Sequence, residues 1–150
     1  MSSHLLMLRA AAALWVVWGL VHVLAGVMCI TLPTSEAIAG VADAVDPATL
    51  AMGYPAAAGA IVKQHGWNLG WIGLTTIVCG GAMWRPRRWA VGLAALVGGL
   101  ADVGYFVFID LAGFAKFVPG TVMTIVSASA IVLSFVAIAR HAGESGGDEK

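Results

Sequence analysis

The sequence predicts an all-α integral membrane protein, a bundle of four transmembrane helices, and three observations lead there. Of its 150 residues, 60% are hydrophobic and only 11% are charged, against about 25% charged in ordinary soluble domains. Four apolar segments, roughly residues 10–32, 65–84, 89–112 and 119–139, approach the roughly 20 residues of helix needed to cross a bilayer core. Basic residues flank those segments unevenly, as membrane topology requires. The length suits one domain, residues 1–140, followed by a polar tail, 141–150, expected to be mobile in the cytoplasm. Zero net charge, with no basic run longer than RPRR, argues against nucleic acid as a partner.

The first helix comes from the run Ala10 to Leu32. Arg9 ahead of it gives the look of a signal peptide, but the run exceeds the roughly 7–15 residues of a signal core, so a transmembrane helix is expected. Residues 33–64 form the one long connection and carry Glu36, Asp43 and Asp46. Asp46-Pro47 reads as an N-cap followed by a first-turn proline, so one or two short helices are expected in this segment. A connection of this length is usually functional. It reads either as a lid or as a connector lying in the membrane interface.

The second helix can begin before residue 65, since PAAAGAIVKQHG continues it back to Pro55 with Lys63 snorkelling. The third and fourth follow the RPRR turn and Pro119. Arg9, Arg85, Arg87, Arg88, Arg140 and Lys150 stand beside one set of ends, and Lys63 and Lys116 beside the other. The positive-inside rule then places both termini and the RPRR turn in the cytoplasm, in an inner or plasma membrane of bacterial type, with loop 33–64 outside. Trp84 and Trp89 would anchor the inner interface, and Trp67 and Trp71 the outer.

Against this apolar background the polar residues need a reason. At about 1.5 Å per residue, His22 and Asp102 fall at similar depth near the midplane, while His65, Asn68 and Asp110 lie nearer the outer surface and Tyr105 between. Helical spacing puts Trp15, Trp18, His22, Gly26 and Cys29 on one face of helix 1. The same rule aligns His65, Asn68, Ile72, Thr75 and Cys79 on helix 2. On helix 3 it aligns Ala95, Gly98, Asp102, Tyr105 and Ile109, and on helix 4 Thr124, Ser127 and Ser134. A charged Asp at mid-bilayer costs about 3 kcal/mol on insertion scales, and a paired partner relieves it. His22 is the expected partner of Asp102. Such a pair is either a hydrogen bond clamping helices 1 and 3 or an acid/base site.

The functional expectation follows the second reading. It is a small membrane enzyme, open to the outer leaflet, acting on a lipid-like or terpenoid substrate by isomerisation, epoxide opening or cyclisation. His22 and Asp102 would be catalytic. Trp15 and Trp18 would hold the apolar part of the substrate, and His65, Asn68, Tyr105 and Asp110 its polar end. One alternative is a dimeric proton-coupled transporter. Another is a noncatalytic subunit of a larger membrane complex, with a pigment or haem on His22.

No cofactor is expected otherwise. No His-Glu-x-x-His stretch or histidine cluster lies within one helix, so a resident metal is not expected either. Cys29 and Cys79 are far apart in depth and form no Cys-x-x-Cys, which argues against a thiol–disulfide enzyme. Glycine-rich phosphate loops and nucleophile elbows are likewise missing from the sequence.

Overall fold

The computed structural model describes residues 2–145, and side chains as far as residue 141. Its described residues are helical with no strand. Helix α1 runs Ser3–Thr31 and stops before Pro33, where Leu32 is extended as a residue preceding proline must be. Within the connection lie α2, Thr34–Val41, and a single turn, α3, Pro47–Leu50. Asp46 caps α3 as its sequence suggests, its carboxylate accepting from the Ala48 amide at 2.9 Å with Pro47 in the first turn. Helix α4 spans Ala56–Met83 and so begins at the early limit that Pro55 allows.

Helix α5, Arg88–Tyr105, continues through a wide π-helical turn, Phe106–Asp110. Gly113 then takes the left-handed conformation (φ 80°), closing the turn as glycine does at helix ends. A second wide turn, Phe117–Thr121, leads into α6, Val122–Ser145. The last helix is thus longer than expected. Residues 141–145, assigned to the tail, are helical, and the rest of that tail, 146–150, lies outside the described residues.

Among the described residues, three helical segments are long and apolar enough to cross a membrane: Ser3–Thr31, Arg88–Asp110 and Phe117–His141. Helix α4 is equally long but carries Lys63, Gln64, His65 and Asn68. It packs along α1, which also meets α6, and α5 touches both α4 and α6.

The α1–α4 contact is built from small residues one heptad apart. Ala12, Gly19 and Gly26 face Gly80, Gly73 and Gly66, a pairing that fixes the two helices antiparallel. A Cβ added at Gly73 would stand 2.5 Å from the Gly19 carbonyl oxygen, and one at Gly26 would stand 2.6 Å from that of Gly66. The backbones therefore touch, as small residues permit between packed helices. This shifts the expected inner face of α4. Its buried residues are Gly66, Gly73, Thr76, Cys79, Gly80 and Met83; of the expected stripe, Cys79 is buried among them, His65, Asn68 and Ile72 stand where the bundle opens, and Thr75 lies to one side.

Large apolar side chains point outward instead. Leu20 and Leu24 on α1, Leu74 and Val78 on α4, and Leu96 and Leu100 on α5 are all exposed. The core holds Trp15, Trp18, Met83 and Val91 among alanines.

Candidate functional site

One end of the molecule holds a cavity of about 450 Å³ between α1, α4, α5 and the start of α6. Its walls are mainly aliphatic, and His22, His65, Asn68, Asp102 and Tyr105 bring polar groups to it. Gly40, Val41 and Asp43 of the long connection close one side. That connection is fastened at three points, one at the end of α5 and two on the α5–α6 turn. The Tyr105 hydroxyl donates to the Val41 carbonyl at 3.2 Å, and the Lys116 amide donates to Asp43 at 2.7 Å. The Ala44 amide reaches the Phe114 carbonyl at 3.0 Å. A cavity of this size, apolar with a few polar groups, has the character of a small-molecule site.

His22 and Asp102 share this cavity but do not form the expected pair. Trp18 stands between them in the bonding. Its indole N–H donates to Asp102 Oδ2 at 3.1 Å, and the Ser127 hydroxyl donates to the same oxygen. The Trp18 backbone carbonyl lies 2.8 Å from His22 Nδ1. The imidazole also stacks on the Trp18 ring, with centroids 3.5 Å apart and planes 19° from parallel. Equal depth brought the two residues to one cavity, but their directions around the helix axes let an indole satisfy the carboxylate first.

This arrangement settles the tautomer of a neutral His22. A carbonyl oxygen can only accept, so Nδ1 carries the hydrogen and Nε2 keeps its lone pair. Nε2 forms no hydrogen bond among the described residues, and His22 lines the cavity. Asp102 is 4% exposed, with Oδ2 occupied by two donors and Oδ1 left for the cavity. The site therefore offers two separate proton-handling groups where a contiguous dyad was expected.

The other anticipated residues divide. Asn68 and His65 line the cavity from α4, with Asn68 Oδ1 accepting from the Trp71 indole at 3.2 Å. Tyr105 lines it while holding Val41. Trp15 and Trp18 are fully buried behind the wall, edge to face at 5.8 Å, and neither lines the cavity. Trp15 fits against Gly98, where a Cβ would come 2.5 Å from its ring. Asp110 also stands off the cavity; Thr121 donates to its Oδ1 at 2.9 Å, and its Oδ2 is buried.

Two contributors were not anticipated in these roles. Ser127 had been placed on the inner face of its helix by spacing, but nothing assigned it to Asp102. Asp43 appeared only as a charge in a loop, with no local pattern linking it to residue 116. Among the described residues no group of three or more His, Cys, Asp or Glu converges as a metal set.

Together these features describe a helical protein with an amphipathic cavity at one end. Compared with known proteins, the chain matches no family model, and no curated protein or solved structure matches it.

Proposed function

We propose that the chain is a four-span integral membrane protein whose outer cavity binds a lipid-like or terpenoid molecule and moves protons on it. Both termini would be cytoplasmic, with the 33–55 connection outside. The large apolar side chains on the outer faces support the membrane reading, since lipid takes the place of a core there. Exposed Trp84 and Trp89 at one end and exposed Trp67 towards the other fit interfacial belts. Arg9 lies over the Trp84 ring at 5.9 Å, gathering the basic residues at the end taken as inner. Helix α4 crosses with the rest on this reading, because its heptad contact with α1 holds Gly66 level with Gly26 and Gly80 level with Ala12.

The observation that carries the chemistry is the open Nε2 of His22 in a largely apolar cavity that also holds Asp102. The imidazole would take a proton from the substrate. Asp102 in its acid form would return one elsewhere, giving an isomerisation, a cyclisation or an epoxide opening without a redox partner. Two separated groups suit such chemistry better than a contiguous pair, because donor and acceptor can address different atoms of one substrate. Asn68, His65 and Tyr105 would hold the polar end.

Gentle purification followed by native mass spectrometry and an absorption spectrum tests this. The expected species is colourless, of one or two chains, with a co-purified amphiphile that the cavity-filling variant Ile72→Trp lacks. A pigmented species, or one arriving with partner chains, would replace the enzyme with a complex subunit.

A further inference from the structure

A second cavity, of about 170 Å³, lies at the opposite end from the first. Three segments far apart in sequence meet there: the first turns of α1, the α4–α5 turn and the last turns of α6. His4, Arg87, Arg88 and His141 bring cationic or N–H-donating groups to its lining, and the two imidazoles lie 4.8 Å apart between centroids. Its inner wall is apolar and includes Leu8, Val91 and Ala137, which are at most 7% exposed.

From this geometry we infer that the cavity binds the phosphate of an anionic phospholipid of the inner leaflet. Two neighbouring guanidiniums offer the planar, forked donors that suit phosphate oxygens. A free inorganic anion would gain nothing from the apolar wall. A lipid uses both parts, its phosphate among the arginines and its glycerol and first methylenes against Leu8 and Val91. Basic clefts between membrane helices on the cytoplasmic side recognise headgroups in this way. Exposed Trp89 stands beside the arginines, at the level where headgroup and acyl chain meet. The site is separate from the outer cavity and needs none of the chemistry proposed there.

The test uses the full-length protein in mild detergent, titrated with phosphatidylglycerol or phosphatidylcholine of equal chain length and read by native mass spectrometry. Two arginines at about 1 kcal/mol each predict a preference for the anionic lipid of roughly tenfold to thirtyfold. The R87Q/R88Q variant should bring that preference to near unity while its circular dichroism and elution volume stay unchanged. R85Q, which removes a charge from the same turn but outside the cavity, should leave the preference intact. Equal binding of the two lipids by the native protein overturns the proposal. An equal loss in R85Q does so too, since general surface charge then explains the effect. Displacement of the lipid by an equimolar amount of inorganic phosphate would show a free-anion site and overturn the lipid assignment.

Discussion

Trp18 does the most at the scale of single residues. It supplies an N–H to Asp102, a carbonyl to His22 and a stacking surface to the same imidazole. Trp18→Phe keeps the aromatic surface but removes the donor, leaving Asp102 with Ser127 alone. Leaving a buried acceptor short of a donor costs about 1–3 kcal/mol. Thermal unfolding in detergent should show that loss, and in an Asp102→Leu background the same change should cost measurably less. Equal costs in both backgrounds would mean the indole N–H contributes nothing through the carboxylate. His22→Asn addresses the chemistry instead. It should leave binding of the co-purified amphiphile within a few-fold while slowing its turnover by about 10²–10⁴, the usual contribution of a general base. The sequence made His22 and Asp102 legible as anomalies because ionisable groups in apolar runs are expensive. It did not reveal Trp18 as the intermediary, since depth follows from counting along a helix and the direction around its axis depends on tertiary packing.

Among the elements, the contact between α1 and α4 decides how the bundle is assembled. Polarity pointed to a stripe through His65, Asn68 and Thr75, yet packing selected the smallest residues, and the seven-residue repeat of Gly66, Gly73 and Gly80 was present in the sequence throughout. In the membrane setting proposed above, close van der Waals approach would outweigh the burial of a polar face. Gly73→Ala should therefore destabilise by about 1–3 kcal/mol, because its methyl group meets the Gly19 carbonyl at 2.5 Å and Val23 behind it. Gly81→Ala on the same helix meets nothing within 4 Å and should stabilise by about 0.5–1 kcal/mol through helix propensity. Opposite signs in paired melting curves are the expected outcome; matching signs would remove the heptad contact as the organising interface. Asp46-Pro47 was legible as a helix start because its signal is local. The π-helical turn at Phe106–Asp110 was not, since an apolar run reads alike whether its turns are tight or wide.

For the whole molecule, the two ends carry different chemistry, and the proposed orientation would assign each to a side of the membrane. The α5–α6 turn, the strap containing Asp43 and the cavity of His22 belong to one end; the arginines and the His4–His141 cleft belong to the other. Only one orientation joins the positive-inside rule to an outer-leaflet cavity. Single cysteines introduced at Lys63 and Arg140, in a chain whose Cys29 and Cys79 are replaced by alanine, test it directly. A membrane-impermeant maleimide applied to intact cells should label the residue 63 cysteine and reach the residue 140 cysteine only after permeabilisation. The reverse pattern would turn the cavity towards the cytoplasm and the arginine cleft outward. Labelling of both in intact cells would mean that an odd number of helices crosses, with α4 the one left out, since it alone of the long helices falls short in apolar character. Its heptad contact with α1 argues for crossing. Two backbones that touch at Gly26–Gly66, at Gly19–Gly73 and again at Ala12–Gly80 lie at the same depth, so on the proposed membrane reading a crossing α1 is expected to bring α4 with it.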